Sequence, residues 1–317
     1  MTDTGSARLE HRIGARGRFT LRQPAGEIEI RGVEGETARV RDTDDQSLGD
    51  RFEILAAEGS LELRPLDHLG GLLRTWARGS APSLAVEVPH GASVTVEAAS
   101  AEVTASDLTG EKRIRTASGD VSLARLAGAI DVGTVSGDLE IDGQLQLEIL
   151  GRTVSGDVAV RLPQARRLDL ATTSGDVLLD AELTGTGPFE VRTISGDLTL
   201  VARGGLRVEA QTVTGDVGGE GLKIVESGRG RKVGTIGRGG ATLAFRSVSG
   251  DLAVVGELPV RTAEEPTEAA AALPAPQEPA MPSGEDARME VLRALERGEI
   301  SVTEAGEQLA ELEEVHR

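Results

Sequence analysis

The sequence predicts an all-β protein: a parallel β-solenoid (β-helix) of about 19-residue coils, with a small C-terminal α-helical hairpin on a disordered linker. Three observations carry this prediction. A motif of the form [TS]-x-[ST]-G-D-[VL] recurs seven times. The residues on both sides of each copy alternate between apolar and polar, as in strands with one buried face. With 41 Gly, four Phe, one Trp and no Tyr or Cys, the core must consist of small aliphatic side chains.

The repeat has a nearly constant spacing. Its first five steps are 18, 19, 19, 21 and 19 residues, and the last, 35, is close to two periods. Degenerate units are predicted at EAASAEVTA from Glu97 and at KVGTIGRGG from Lys232. One such coil cannot bury its own apolar face, but stacked coils can. From Phe19 to Val255 there is room for about twelve coils, on the order of 55–60 Å at the ~4.8 Å strand spacing. The copies open at Thr116, Thr134, Thr153, Thr172, Thr193, Thr212 and Ser247.

The phase of the alternation predicts which residues face inward. If the opening Thr or Ser is position 0, apolar residues lie at −4 and −2, and again at +1, +5 and +7. The parity changes between positions 0 and +1, so a bend is expected there, with the +1 residue in the core. The Gly at +3 has inward parity, where a side chain would crowd the core or the backbone needs freedom. The Ser and Asp of the motif are expected to face outward.

The chain divides into a solenoid repeat domain at 1–261, a linker at 262–284 and a helical hairpin at 285–317. Regular coils are expected at about 97–255, with irregular coils and a cap at 1–96. The insertion HLGGLLRTWARGS after Asp67 holds the only Trp. Its apolar side chains are predicted to cover an open end of the core, as terminal caps do, with contact to a partner or membrane as the alternative. These side chains are Leu72, Leu73 and Trp76.

The linker is rich in Ala, Pro and Glu and has no periodicity, which indicates a solvated tether. The hairpin after it has helix-capping signals around Ser283, Gly298 and Ser301. About thirty residues are too few to bury a self-sufficient core, so the hairpin must dock on the solenoid, on a second copy or on a partner. We favour self-association or partner binding over a passive tail. The predicted contact residues are Met289, Leu292, Leu295, Leu309 and Leu312.

The charge of the chain excludes several function classes. The formal net charge is −18, of which Thr262–Arg317 contributes −10. Such a chain is repelled by nucleic-acid phosphates and by anionic lipid, so no nucleic-acid partner is predicted. No stretch approaches the ~18 apolar residues that span a bilayer, and no secretion signal opens the sequence. A cytoplasmic location is therefore expected, without a membrane span and without a cofactor.

The repeated Ser and Asp are the candidates for chemistry. We expect them to cap backbone N–H groups at the turns, because ordinary turns need these residue types. The alternative is weak Ca²⁺ binding along stacked carboxylates. Catalysis is not expected, because a hydrolytic site needs unlike roles and here the groups are equivalent copies, while the four His are scattered. The aspartates are Asp120, Asp138, Asp157, Asp176, Asp197, Asp216 and Asp251.

A glycine-rich segment, SGRGRKVGTIGRGG, collects the basic residues Arg229, Arg231, Lys232 and Arg238. It matches neither the Walker loop nor the Rossmann fingerprint. A flexible insertion in one coil is the favoured interpretation. The alternative is an anion site, with the acidic C-terminal segment of the same chain as a candidate ligand.

The [TS]-x-[ST]-G-D-[VL] repeats, from about Phe19 to Val255, resemble the bacterial "putative adhesin" family of repeated β-strand domains, the domain of unknown function DUF4097. The segment VLRALERGEISVTEAGEQLAEL, from Val291, resembles the SHOCT-like helical hairpin of YvlB/LiaX-type proteins. The resemblance implies a β-repeat fold and a non-enzymatic binding or scaffold role, with no catalytic residues to carry over. It also implies association with the bacterial cell envelope and its stress response. A cytoplasmic structural scaffold is the alternative, with solenoids polymerising end to end like bactofilin filaments.

Overall fold

The computed structural model describes residues 7–66, 82–185 and 187–255. The predicted linker, the helical hairpin and the whole Trp-containing insertion lie outside these residues. Within them, regular structure is almost entirely β-strand, with one 3-10 turn at Leu48–Asp50. The predicted all-β class is confirmed. The strands are β1 Arg8–Arg12, β2 Arg18–Val33, β3 Thr37–Asp42, β4 Phe52–Ala57, β5 Ser60–Pro65, β6 Ser83–Pro89, β7 Ser93–Ser106, β8 Lys112–Ser118, β9 Val121–Gly133, β10 Leu139–Arg152, β11 Val158–Ala171, β12 Val177–Leu183, β13 Phe189–Arg192, β14 Leu198–Ala202, β15 Leu206–Thr214, β16 Val217–Gly219, β17 Leu222–Gly228, β18 Arg231–Ile236, β19 Ala241–Ser249 and β20 Leu252–Val255.

The strands stack in two parallel sheets that meet at the repeat motif. In the first sheet the order is β5, β2, β7, β8, β9, β10, β11, β13, β19 and β15. In the second sheet it is β6, β2, β7, β9, β10, β11, β12, β14, β20 and β16. The long strands bend and contribute one half to each sheet. One coil is therefore two strands and two bends, as predicted, and the stack is a β-solenoid.

Alternation places one aliphatic side chain above another through the core. In the second sheet, Ile141 lies in register with Val160, then Leu179, Leu200 and Val254. All five are buried. Because each coil covers the apolar side chains of its neighbours, small branched residues repeated at one period are sufficient to build the core.

The chain order and the spatial order differ at the C-terminal end. Strand β19 pairs with β13 on one side and with β15 on the other, both parallel. Likewise, β20 lies between β14 and β16. The coil at residues 241–255 is therefore inserted between the coils that open at Thr193 and Thr212. Spatial order therefore departs from chain order here, because the chain passes through β15 to β18 before it returns to fill the gap.

The prediction of a degenerate coil at Lys232–Gly240 is wrong. Strands β17 and β18 form an antiparallel hairpin, and β18 pairs antiparallel with β15 at the end of the first sheet. The other end is similar: β4 pairs antiparallel with β5, and β3 with β6. Antiparallel strands thus end the first sheet on both sides and the second sheet at β6, and the described residues form ten coil levels rather than about twelve.

The bend lies later in the motif than predicted. The position-0 Thr and Ser side chains are buried, and the +1 residues that were expected in the core are exposed. Inward parity therefore continues from −4 and −2 to position 0, and the chain turns at Ser-Gly-Asp. Gly156 shows why glycine is required: its φ is +141°, and a Cβ would lie 2.1 Å from the carbonyl oxygen of Gly137 on the neighbouring coil. The glycine makes room for the next backbone, rather than for the core.

Candidate functional site

The corner formed by the repeat motifs is the candidate site, and we call it the repeat edge. It comprises positions −1 to +4 of the seven motifs. Its spatial order is the order of the stacked coils, so the copy opening at Ser247 lies between those opening at Thr193 and Thr212. Equivalent side chains therefore form columns with the strand spacing of ~4.8 Å.

The motif aspartates form one of these columns, which we call the aspartate column. The Oδ1 of every aspartate except the last, Asp216, accepts the backbone N–H of the next aspartate along the stack, at 2.7–2.9 Å. The predicted capping role is therefore present, but the bond joins neighbouring coils instead of closing a turn within one coil. The column runs Asp120, Asp138, Asp157, Asp176, Asp197, Asp251 and Asp216.

The aspartate column has almost no basic side chains paired with it. Among the described residues only Asp216, at one end, has a salt bridge, from Lys232 Nζ at 3.5 Å. Neighbouring carboxylates about one strand spacing apart repel by roughly 1 kcal/mol per pair in water. Charge-assisted hydrogen bonds to the backbone offset this cost. In the described part of the chain no group of three or more His, Asp or Glu side chains is arranged to hold a metal ion.

Beside the aspartates lies a column of exposed +1 residues, which we call the aliphatic column. Its five branched members are 47–81% exposed. The sequence analysis placed them in the core, so it missed this surface. The signal that could have found it is the position-0 Thr, whose parity matches that of −2 and −4. In spatial order the column is Ala117, Val135, Val154, Thr173, Ile194, Val248 and Val213.

Arginines flank the aliphatic column on the side away from the aspartates. They occupy position −1 of four coils, two residues before the aliphatic column and so about 7 Å from it along an extended strand. Arg115 pairs with Asp131 at 2.6 Å, Arg192 pairs with Asp169 at 2.5 Å, and Arg246 pairs with Glu190. Three of the four arginines are thus ion-paired, and the edge runs from this arginine side, across an aliphatic ridge, to an acidic side. The arginines are Arg115, Arg152, Arg192 and Arg246.

The motif Ser and Thr at +2 form an exposed column between the aliphatic and aspartate columns. Their backbones are joined in register, as the bridge between Ser155 and Ser174 shows. The edge contains the same hydroxyl and the same carboxylate on every level. Such an arrangement offers no separate nucleophile, base and orienting group, but it offers a repeated surface for binding.

The four predicted basic residues belong to the β17–β18 hairpin and the turn after it. Arg229 lies in the hairpin turn and Arg238 in the turn after β18. Arg231 pairs with Glu209 at 3.4 Å and with Glu226 at 3.6 Å, and Lys232 pairs with Asp216. The hydrogen bond from Arg207, with the charges of both arginines, holds the pKa of Glu209 below its ordinary value. Two of the four basic side chains are thus partly neutralised within the solenoid.

A polar groove lies away from the repeat edge, where the second sheet bends back into the first. Its volume is about 460 Å³, and its polar side chains largely bind one another: Gln164 donates to Glu182 at 3.2 Å, and Arg203 donates to both oxygens of Asp180. Nearby, burial raises the pKa of Asp142, with Glu140 adding to the effect. The lining residues are Gln144, Leu145, Gln146, Pro163, Gln164, Glu182 and Arg203.

The predicted hairpin contacts Met289, Leu292, Leu295, Leu309 and Leu312 lie outside the described residues, as do Leu72, Leu73 and Trp76. Over the part of the chain that the structure describes, no helix has the length and apolar character needed to cross a bilayer.

Comparison with known proteins gives a family match. The family model described as Toastrack DUF4097 matches residues 16–184 and 167–255. No curated protein matches the sequence.

Solved structures that match the chain include a "putative adhesin" from Bacteroides fragilis, with 9% identity, a TM-score of 0.47, and 78% of this chain and 95% of that chain covered. A "putative adhesin" from Parabacteroides distasonis has 12% identity, a TM-score of 0.42 and coverage of 81% and 98%. A "putative lipid binding protein" from the same organism has 11% identity, a TM-score of 0.30 and the same coverage.

Proposed function

The chain belongs to the Toastrack DUF4097 family, and from that premise we propose that it is a non-enzymatic, adhesin-like binding and scaffold protein. The repeat edge is its docking surface for a protein. One observation carries the proposal: branched aliphatic side chains, 47–81% exposed, occupy five of the seven levels of one column, between an arginine side and an acidic side. Contiguous exposed apolar residues rimmed by charge are typical of interaction sites.

The same column argues against a purely structural role for the edge. The solenoid needs the turning Gly and the hydrogen-bonding Asp of each motif, because the Gly leaves room for the neighbouring backbone and the Asp accepts an N–H of the next coil. It has no such need for Val or Ile at +1, because two other levels carry Thr173 and Ala117 at that position. An aliphatic residue retained in solvent on most levels is best explained by a surface that is covered in a complex.

The C-terminal hairpin completes the proposal. Its apolar residues, from Met289 to Leu312, recruit a partner or a second copy. The likeness of Val291–Leu312 to SHOCT-like hairpins supports this role and suggests the bacterial envelope stress response as the process. The proposed location is therefore in association with the cell envelope.

Affinity capture with edge variants tests the proposal. The full chain is compared with Ile194→Asp/Val248→Asp, which places two charges on adjacent levels of the aliphatic column. The matched control is Thr199→Asp/Ala253→Asp, on adjacent levels of the outer face of the second sheet. A protein bound by wild type and control but lost by the edge variant is the expected result. Equal recovery by all three chains would remove the repeat edge from the proposal.

End-to-end assembly into a filament remains the second candidate, and one observation favours it. Strands β17 and β4 each pair on one side only within the described residues, and both expose apolar side chains: Ile224, Val225 and Leu55. Edge strands of this kind are templates for pairing with another chain. Sedimentation at increasing protein concentration separates the candidates, because a filament grows without limit and a docking module stays a small species. A Val225→Lys variant should abolish growth.

A further inference from the structure

We propose that the repeat edge binds a second copy of this chain, with two solenoids side by side, parallel and in register. This inference rests on the proposed function, since it takes the repeat edge as a docking surface and names its occupant. Three properties of the edge support it: its axial period, its charge order and its length.

The period selects the kind of partner. Side chains on the repeat edge recur every ~4.8 Å, the spacing of β-strands. An α-helix laid along the edge has a pitch of ~5.4 Å, so after six levels its contacts are about 3.6 Å out of phase. Only another β-stack can contact every level of the aliphatic column equivalently. A second copy of the chain has the matching period by construction.

The charges select the orientation. A two-fold axis along the stack places the aspartate column of one copy opposite the arginine side of the other. Asp157 and Arg152 belong to the same coil, so each then faces the other residue type in the partner copy. A two-fold axis across the stack would instead place aspartates against aspartates, which repel. In both cases the aliphatic columns meet in the middle, but only the parallel arrangement also pairs the charges.

The size of the edge sets the expected affinity. Seven levels span about 29 Å, and positions −1 to +4 are about 15 Å wide, so each copy buries on the order of 450 Å². Stable interfaces bury about 800 Å² per partner. We therefore expect a reversible dimer with a dissociation constant in the micromolar range.

Cross-linking of single-cysteine variants in the full chain tests the arrangement, because the natural chain has no Cys. Packed faces lie about 10 Å apart, beyond the reach of a disulfide, so a short bismaleimide is used. Each of three variants should cross-link to a second copy of the same variant: Ala117→Cys, Thr173→Cys and Val213→Cys. The control Ala253→Cys, on the outer face of the second sheet, should not. In an antiparallel pair, only Thr173→Cys, at the central level, would cross-link to a second copy of itself. The end-level variants Ala117→Cys and Val213→Cys would instead cross-link to each other when the two are mixed.

Charge exchange gives an independent readout by sedimentation. Asp157→Arg and Arg152→Asp should each weaken the dimer at least several-fold, and the double variant should restore it. The dissociation constant of a dimer formed only by the C-terminal hairpin would not respond to these charge changes. Such a dimer would also give no cross-links between equivalent levels of the two copies. That result, or a chain that stays monomeric at hundreds of micromolar, overturns the inference. Affinity capture by the edge variant still decides the proposed function separately, because it asks whether any other protein needs the edge.

Discussion

Lys112 places an amine inside an otherwise aliphatic column of the core. It lies in register with Val94 on one side and Ile130 on the other, and it is fully buried. Its Nζ donates a hydrogen bond to the carbonyl oxygen of Ala127. Burial lowers the pKa of Lys112 from 10.5 to about 8. The charged form is therefore destabilising in the folded protein.

The stability of the protein should rise with pH between about 8 and 10.5. In that range the unfolded chain holds the Lys112 proton and the folded chain has released it, so unfolding takes up a proton. The free energy of unfolding should increase by up to about 3 kcal/mol, measured by urea denaturation at each pH. This pH range is suitable for the measurement because few other side chains titrate in it: the sequence has no Tyr or Cys and only three Lys. Lys112→Met should be more stable at pH 7 and should lose the slope, whereas Lys223→Met should keep it.

The buried hydroxyls at position 0 differ from one coil to the next. Thr116 Oγ1 donates to the carbonyl oxygen of Ser118 at 2.9 Å. Thr172 Oγ1 is equally buried but has no hydrogen-bond partner among the described residues. An unpaired buried hydroxyl costs free energy, whereas a paired one contributes about 1 kcal/mol.

Replacement by Val should therefore have opposite effects at these two sites. Thr172→Val keeps the shape and removes an unpaired polar group, so the free energy of unfolding should rise by about 1 kcal/mol. Thr116→Val removes a hydrogen bond and should lower it by about 1 kcal/mol. Equal shifts in chemical denaturation would mean that both hydroxyls have the same environment.

Among the structural elements, the aspartate column combines a favourable hydrogen bond with an unfavourable charge. Asp157 Oδ1 accepts the N–H of Asp176 at 2.8 Å, and the like charges of its neighbours lie about one strand spacing away. An Asn side chain can supply the same oxygen acceptor without the charge.

Substitutions at Asp157 should separate these two effects. Asp157→Asn should raise the melting temperature slightly at low salt, and salt should remove the difference because it screens the column. Asp157→Ala should lower the free energy of unfolding by about 1–2 kcal/mol, because the Asp176 N–H loses its acceptor. Calcium and a chelator should leave the melting temperature of the wild type unchanged. Stabilisation by calcium that Asp157→Asn abolishes would instead support the cation-binding alternative.

For the whole described stack, the inserted coil is the critical feature. Residues 241–255 supply β19 and β20, which separate β13 and β14 from β15 and β16. The last coil along the chain is therefore an interior level, so β15 and β16 depend on residues that follow them in sequence.

Truncation should expose this dependence. A chain ending at Gly240 lacks the inserted level, so amides in residues 206–240 should lose hydrogen-exchange protection while those in residues 93–183 keep it. A chain ending at Arg261 lacks only the linker and hairpin and should retain protection throughout. If 206–219 stay protected in the shorter chain, these strands can dock directly on β13 and β14, and the inserted coil is dispensable.

The chain ending at Arg261 also tests the β17–β18 hairpin as a site for the acidic C-terminal segment. If Arg229 and Arg238 hold that segment, removing residues 262–317 should change the rate of proteolysis in the turn around Gly230. Unchanged cleavage would leave the hairpin with its described role as the end of the first sheet.

What could be read from the sequence followed from local periodicity. The alternation around each motif and its spacing of about 19 residues are enough to predict stacked parallel strands, because one coil cannot bury its own apolar face. The exposed aspartates and the need for glycine at the turn follow from the same pattern. The exposure of Val154 and Ile194 was not predicted, because the change of parity within a motif can be placed at more than one residue, and the buried Thr side chains show that it lies later than expected.

Tertiary structure alone decided the order of the coils and the ends of the stack. The motifs opening at Thr193, Thr212 and Ser247 are nearly identical, so each fits beside either of the others. Sequence similarity therefore does not predict which of these coils are neighbours in the stack. Long-range pairing selects it, since the β17–β18 hairpin ends the first sheet only if β19 returns to fill the gap between β13 and β15. A repeat specifies which surfaces match, whereas the order of assembly depends on where the unmatched segments can be accommodated.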